Sequence, residues 1–126
     1  MNVVDSSGWI EYFLGRPNAA FFRPVIHDTA QLIVPTISLC EVFRYITRTA
    51  GRQAAEQAAA QMQRTQIVDL DSNLATLAAR LGLKHNLPLA DSIVFATAQQ
   101  HSAKLYTQDS DFEHVPGVRY VRKKAH

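Results

Sequence analysis

Residues 88–98 read PLADSIVFATA, an apolar run that carries a single carboxylate, Asp91. The apolar residues around it, among them Ile93, Val94 and Phe95, predict a buried helix that begins close to the acid. An ionised carboxylate in such surroundings is costly unless it is hydrogen-bonded, paired or bound to a cation. The stretch therefore predicts a core helix of the fold and a carboxylate at its start that needs a partner.

Short β-branched runs alternate with helical patterns along the rest of the chain. The strand candidates are residues 3–4, 32–34, 66–70, 104–107 and 118–121. Strands that alternate with helices predict an α/β fold with a mostly parallel central sheet of four to five strands. Ligands of such sheets bind beyond the carboxyl ends of the strands, so the residues that follow each strand are the first candidates for a site.

Single residues predict where some helices begin and end. Ser6 and Ser7 are expected to cap the first helix, and Thr36 is expected to cap the helix that runs to about residue 50. Gly82 is expected to end the helix before the 88–98 stretch. Cys40 lies in an apolar segment and is expected to be a reduced thiol in the core.

Composition limits the class of protein. The chain has 126 residues, 47% apolar and 19% charged, with a formal net charge of +2. These values are typical of one globular domain over residues 1–126, and they permit an anionic partner without requiring one. We find neither an apolar run long enough to span a membrane nor a secretory signal pattern, and one cysteine cannot form an intrachain disulfide. The sequence therefore predicts a cytoplasmic protein without a membrane segment.

Four acids follow or flank the predicted strands. Asp5 ends the first strand, Glu41 lies early in the helix after the second, Asp91 begins its helix, and Asp109 follows the fourth strand. Each has a simpler explanation when taken alone. Asp5 and Asp91 could be helix caps, Asp109 could form an Asx turn, and Glu41 could pair with Arg44 or Tyr45 on its own helix. Topology nevertheless allows all four to reach one edge of the sheet, where they would repel each other unless neutralised.

A hard divalent cation is the expected neutralising partner. Mg²⁺ takes oxygen ligands and keeps waters and substrate phosphates in its shell, and Mn²⁺ is similar in preference. The single cysteine cannot build a thiolate site, and the histidines are not spaced as a zinc pair; they are His27, His85, His101, His114 and His126.

The motifs VVDSS, SLCEVF, LADSIVFATA and LYTQDSDF stand in the order seen in PIN domains, and the chain resembles the VapC-type toxins of toxin–antitoxin pairs. The resemblance runs from about residue 3 to residue 120. It implies a single PIN-like domain of three α/β/α layers and a Mg²⁺- or Mn²⁺-dependent endoribonuclease that leaves a 5′-phosphate and a 3′-hydroxyl. The catalytic and metal-binding positions that it implies are Asp5, Glu41, Asp91 and Asp109.

The same resemblance assigns lesser roles to nearby residues. Ser6 and Thr107 match hydroxyl positions beside the acids, and Asp111 either assists them or only caps its turn. Ser92 stands where the family often has alanine. The resemblance also implies a cognate antitoxin protein, an RNA substrate and a homodimer.

Basic residues are candidates for contact with RNA phosphates. Arg44 and Arg48 lie one and two turns beyond Glu41, and Arg52 could continue their row. The tail RYVRKKAH, residues 119–126, is also basic. A solvated basic face and a frayed tail are the alternative explanations.

Two other functions remain open from the sequence. A PIN-like domain could act mainly in a DNA-binding complex with its partner and have little nuclease activity. A receiver-like phosphoryl-transfer domain also holds Mg²⁺ with aspartates, but it needs a lysine near the site after a late strand, and Lys104 precedes the fourth strand instead.

Overall fold

A computed structural model of the protein describes residues 1–125, and His126 lies outside the described residues. Five strands alternate with helices, as the sequence predicts. The strands are β1 (Asn2–Val4), β2 (Leu32–Pro35), β3 (Gln66–Val68), β4 (Lys104–Thr107) and β5 (Val118–Tyr120). The α-helices are α1 (Ser6–Phe13), α2 (Ala19–His27), α3 (Thr36–Ala50), α4 (Arg52–Met62), α5 (Ser72–His85) and α6 (Leu89–Gln100).

The strands form one wholly parallel sheet in the order β3-β2-β1-β4-β5. The central strand β1 pairs with β2 on one side and with β4 on the other; Asn2 is opposite both Leu32 and Lys104. Parallel pairing brings the carboxyl ends of these three strands to one edge of the sheet. The residues that follow β1, β2 and β4 therefore lie close together, although they are far apart in the sequence.

Alternating side chains divide the core between the two faces of the sheet. Val4 and Val34 pack on one face with apolar residues of α1, α2, α3 and α4. Val3, Ile33 and Leu105 pack on the other face, where α6 and α5 lie. This two-residue period is what a strand buried on both faces requires. The expected three-layer α/β/α arrangement is confirmed.

The cap of α1 differs from the prediction. The side chain of Asp5, rather than that of Ser6 or Ser7, accepts a hydrogen bond from the Gly8 N–H at 3.0 Å. The chain enters α1 directly from β1, so the residue at the turn is the acid itself. Thr36 likewise does not cap α3, because it is the first residue inside that helix and extended Pro35 precedes it.

Gly82 does not end α5. The helix continues to His85 and ends at Asn86, whose left-handed backbone (φ 55°) terminates it. A Cβ at position 82 would lie 2.2 Å from Ser92 Oγ and 2.9 Å from Ser92 Cβ. Gly82 therefore permits the close packing of α5 against α6. The sequence prediction that Gly82 ends α5 is wrong.

Two further observations concern the surface. Cys40 is exposed on α3, contrary to the expectation of a core thiol, because it projects from the face of the helix that turns away from the sheet. Among residues 1–125, every helix is too short or too polar to cross a lipid bilayer.

Candidate active site

An open cleft of about 370 Å³ lies at the carboxyl edge of the sheet. All four acids predicted from the sequence line it, and so do Arg44, Arg48 and Tyr45. The four acids lie on different elements: Asp5 in the turn after β1, Glu41 in α3, Asp91 in the first turn of α6, and Asp109 in the turn after β4. The structure therefore brings Asp5, Glu41, Asp91 and Asp109 together.

Asp5 is held rigidly at the centre of the sheet edge. It is only 3% exposed, and its Oδ1 accepts hydrogen bonds from Gly8 N–H at 3.0 Å and from Ser7 Oγ at 2.8 Å. Its Oδ2 accepts a short hydrogen bond from the Thr107 hydroxyl. Burial raises the pKa of Asp5 to about 6, against the lowering effect of these hydrogen bonds. Asp5 is thus both a helix cap and a wall of the cleft.

Thr107 connects the acids of the first and fourth strands. Its hydroxyl donates to Asp5 and accepts a hydrogen bond from the Asp109 N–H at 2.9 Å. Asp109 Oδ1 in turn accepts from the Asp111 N–H at 2.9 Å, so the Asx turn considered from the sequence is present. The turn uses only Oδ1 of Asp109. No described residue donates to Oδ2, so this oxygen can bind a ligand in the cleft.

Asp91 lies in the first turn of α6 but does not cap it. The residue at the cap position is Pro88, and no side chain among residues 1–125 caps this helix. Burial, followed by the negative charges of Asp109, Asp5 and Asp111, raises the pKa of Asp91 to about 8. Asp91 is therefore not the cap residue, although it lies in the first turn, where the helix dipole favours an acid. The dipole leaves its carboxylate oxygens without a hydrogen-bonded cap partner.

Three carboxylates come close enough to share one cation. Oxygens of Asp91, Asp109 and Asp111 all lie within 4.8 Å of one another. Among residues 1–125, the lining of the cleft contains neither histidine nor cysteine. The donor set is therefore all oxygen, which suits a hard divalent cation. The raised pKa of Asp91 shows the electrostatic cost of the arrangement without such an ion.

Glu41 is oriented by a residue of the neighbouring helix. Ser6 Oγ donates to Glu41 Oε1 at 2.6 Å. The pairing of Glu41 with Arg44 or Tyr45 that the sequence allowed is not found among residues 1–125. The Ser6 hydroxyl thus holds Glu41 toward the cleft rather than along its own helix.

Arg44 and Arg48 line the cleft as predicted, but Arg52 does not extend their row. Arg52 opens α4 and pairs with Glu56 of the same helix at 2.9 Å. The turn at Gly51 between α3 and α4 changes the direction of the chain. The four-residue spacing of Arg44, Arg48 and Arg52 therefore does not place Arg52 on the same helix face.

A buried polar network beneath the cleft was not predicted. Glu11 is 1% exposed; its oxygens accept hydrogen bonds from the Asn18 N–H at 2.9 Å and from Gln108 Nε2 at 3.0 Å. Asn18 Nδ2 donates to Gln108 Oε1 at 3.0 Å. The one sequence signal was Glu11 within the apolar face of α1. The network holds Gln108, the residue before Asp109, against Glu11 of α1.

Tyr45 was also missed as a cleft residue. Its hydroxyl accepts a hydrogen bond from Arg16 Nη1 at 2.9 Å, and the Arg16 guanidinium lies 5.4 Å from the ring centre. These contacts hold an aromatic ring at the wall of the cleft beside Arg44 and Arg48.

The receiver-like alternative does not fit this arrangement. Lys104 is the first residue of β4, and its partner in β1 is Asn2. It therefore lies at the amino end of the sheet, a strand length away from the acids, and cannot serve the site.

Known proteins share the fold and the order of its elements. The PIN domain family matches residues 3–118. The solved structures that resemble the chain include a toxin–antitoxin complex from Klebsiella pneumoniae, with 26% identity, a TM-score of 0.77, and coverage of 94% of this chain and 95% of the other. They also include Mycobacterium tuberculosis VapC20, a Sarcin-Ricin loop cleaving toxin, with 21% identity, a TM-score of 0.80, and coverage of 98% and 100%.

A third similar structure is DNA-bound VapBC from Salmonella typhimurium, with 17% identity, a TM-score of 0.73, and coverage of 97% of this chain and 98% of the other. No curated protein sequence matches the chain significantly. The family match spans nearly the whole chain, and these structures share its fold along almost their full length. The chain belongs to the PIN domain family and has the fold of the VapC toxins.

Proposed function

We propose that the protein is a metal-dependent endoribonuclease, the toxin component of a type II toxin–antitoxin pair. The observation that carries the proposal is the convergence of acids from four separate elements in one open cleft bordered by arginines. A purely structural acid would be paired or would lie on the surface. Here the acids face each other in one cleft, and burial together with the negative charges of Asp109, Asp5 and Asp111 raises the pKa of Asp91 to about 8.

We assign the metal-binding role to Asp5, Glu41, Asp91 and Asp109. Asp111 joins them, because its oxygen lies within the same 4.8 Å group as those of Asp91 and Asp109. Ser6 and Thr107 act through the acids that they orient. The all-oxygen donor set favours Mg²⁺ or Mn²⁺, and such an ion supplies an activated water and neutralises charge on the phosphate.

The chain's own groups account for the remaining chemistry. Water attacks the phosphorus, the P–O3′ bond breaks, and the products carry a 5′-phosphate and a 3′-hydroxyl. Glu41 is suited to accept the proton of the attacking water, since Ser6 occupies Oε1 and no described residue donates to Oε2. The leaving 3′ oxygen takes a proton from solvent in this open cleft.

Arg44 and Arg48 provide the affinity for RNA. Both lie on the exposed side of α3 at the wall of the cleft, free of ion pairs among residues 1–125. Arginine forks match phosphate oxygens and give binding that weakens as salt rises. Substitution of both should weaken RNA binding uniformly across sequences.

An antitoxin partner follows from the same proposal. The Klebsiella structure is a toxin–antitoxin complex. We expect a co-expressed antitoxin to cover the acidic cleft, with an arginine or lysine among the carboxylates. We also propose that the protein is a homodimer, which sedimentation of the purified chain would test.

A second candidate function is favoured by two structural neighbours. The Salmonella VapBC is DNA-bound, and VapBC2 from Rickettsia felis is bound to a DNA fragment from their promoter. In that case the chain would act mainly in a DNA-binding complex with its partner and would have little nuclease activity.

RNA cleavage separates the two functions. Purified protein is incubated with total RNA in Mg²⁺ or Mn²⁺, with an excess of EDTA as the metal-free arm. Asp109→Asn removes one carboxylate of the cleft, and Asp69→Asn makes the same change at an exposed position outside it. We expect metal-dependent cleavage by the wild type and Asp69→Asn only. Cleavage that persists in EDTA, or an absence of cleavage by freshly purified wild type, would contradict the proposal.

A further inference from the structure

A second cleft, of about 490 Å³, adjoins the active-site cleft. Ser7 and Asp109 line both clefts, so one of the four acids, Asp109, lies where the two clefts meet. The basic side chains of the second cleft are Arg122 and Lys123, which follow β5. From here on, the tail means residues 121–125.

The tail is fastened beside the acids. The Val121 N–H donates to the Thr107 carbonyl at 3.0 Å, which continues the pairing of β5 with β4. Asn18 Nδ2 donates to the Arg122 carbonyl at 3.0 Å and to Gln108 Oε1 at the same distance. These are backbone and network contacts, so they hold the tail in place and leave the cationic side chains of Arg122 and Lys123 free to contact a ligand.

The remaining lining suits a phosphodiester strand. Tyr120 contributes an aromatic ring, and Ser110 contributes a hydroxyl. Glu113 also lines the cleft, and its Oε2 lies 3.3 Å from His114 Nε2. The two cations are thus balanced by Asp109 and Glu113, and neutralisation of Asp109 by a bound cation leaves the cleft net positive.

We propose that this second cleft binds the RNA strand on one side of the scissile phosphate, with Arg122 and Lys123 as its phosphate contacts. The strand then crosses the acids between two basic walls, one formed by Arg44 and Arg48 and the other by the tail. The inference rests on the proposed function as a ribonuclease. It adds two phosphate contacts, Arg122 and Lys123, that lie beyond the PIN domain match, which ends at residue 118.

The test compares Arg122→Gln/Lys123→Gln with Arg80→Gln/Lys84→Gln. The second variant removes the same charge from an exposed face of α5 whose residues 80 and 84 line neither cleft. For the binding measurement, both variants and the otherwise unchanged chain carry Asp109→Asn, which removes the charge of Asp109 without a cation and, on the proposed function, also stops cleavage. Fluorescence anisotropy then measures the Kd of a labelled, random twelve-nucleotide RNA in EDTA, across about 50 to 200 mM KCl. Initial rates in Mg²⁺ give KM and kcat for the same variants with Asp109 intact.

We expect the tail variant to bind RNA roughly tenfold more weakly and to lose about 0.7 to 1.4 from the slope of log K against log salt, which corresponds to one or two lost contacts with phosphate. Its KM should rise by more than its kcat falls. The α5 variant should match the otherwise unchanged chain in slope. Equal Kd and slope for the two variants would overturn the inference, and so would preferential binding of double-stranded DNA that is insensitive to the tail.

The two proposals fail in different ways. Wild-type cleavage of RNA together with an unaffected tail variant overturns the second binding site alone. Tail-dependent RNA binding without cleavage supports the second site and overturns the ribonuclease proposal. Failure of the Asp109→Asn chain to bind RNA, together with failure of the wild type to cleave it, overturns both.

Discussion

Replacement of Asp91 with asparagine removes one charge from the crowded acids and preserves the shape of the side chain. Asp91 lies in the first turn of α6 without capping it, so the change leaves no helix end unsatisfied. The neutral amide of the variant would resemble the protonated acid. The substitution therefore separates the electrostatic role of the residue from its packing.

The expected effect on stability depends on pH. Burial and the neighbouring acids raise the pKa of Asp91 to about 8 from an ordinary value of 3.8. Between these values the folded metal-free protein holds a proton that the unfolded chain releases, so its free energy of unfolding falls as pH rises from about 4 to about 8. The asparagine variant lacks this loss. The difference in the free energy of unfolding between the variant and wild type should therefore grow from about pH 4 to about pH 8 and level off above pH 8.

The size of the advantage follows from the shift. A pKa raised from 3.8 to about 8 corresponds to roughly 6 kcal/mol for a fully buried group. The Asp91 side chain is half-buried in an open cleft, so solvent screening reduces the effect, and we expect about 1–2 kcal/mol. For a chain of this length that is roughly 3–8 °C in Tm.

The assay pairs melting with cleavage. Tm is measured in EDTA at pH 5 and pH 8 for wild type, Asp91→Asn and the exposed control Asp69→Asn. RNA cleavage is measured in Mg²⁺. We expect Asp91→Asn to lose at least about 100-fold in rate, because loss of a ligand disturbs the whole metal site. The same variant should melt higher than wild type at pH 8 and close to it at pH 5.

Two results would refute this reasoning. Cleavage by Asp91→Asn at close to the wild-type rate would remove Asp91 from the metal site and weaken the four-acid proposal. A lower Tm for Asp91→Asn at both pH values would show that the carboxylate stabilises the fold through a contact of its own. The Asp69→Asn control should leave both measurements unchanged.

Three further predictions concern other parts of the molecule. Gly82→Ala should lower the free energy of unfolding by about 1–3 kcal/mol in chemical denaturation, because the new Cβ would overlap Ser92, even though alanine is the better helix former; a more stable variant would show that α5 and α6 can move apart freely. Gln108→Leu should cost about 2 kcal/mol or more, because it removes a hydrogen bond from the buried carboxylate of Glu11; a neutral result in the same assay would mean that another group takes its place. The pKa of Asp5, raised to about 6, means that the metal-free protein loses up to about 3 kcal/mol between pH 4 and pH 6; calorimetry at these pH values should show the loss, and Mg²⁺ should reduce it at the upper end, whereas a stability that rises over this range would contradict the assignment.

The sequence alone was sufficient for the order of strands and helices and for the acids that meet at the sheet edge. Strand period, helical spacing and turn residues are local signals, and they place Asp5, Glu41 and Asp109 after strands β1, β2 and β4. Parallel pairing then brings the ends of those strands together. The resemblance of the ordered motifs to PIN domains rests on the same local features, and the family match confirms it.

Local signals failed where one residue serves a distant neighbour. Gly82 reads as a helix end, because glycine usually ends helices, but in the fold it makes room for Ser92. Arg52 appears to continue a basic row, but the turn at Gly51 directs it toward Glu56. Cys40 lies in an apolar segment, yet the rotation of α3 against the sheet leaves it exposed.

Only the tertiary structure decided how the polar groups pair. Thr107 and Asp5 are 102 residues apart in sequence, and Gln108 and Glu11 are 97 apart, yet each pair is hydrogen-bonded. The raised pKa of Asp91 likewise depends on acids that approach from other strands. Periodicity records which face of an element is apolar, because burial acts on each residue separately. Hydrogen bonds and charge repulsion act between specific atoms, and their partners are chosen only when the elements pack.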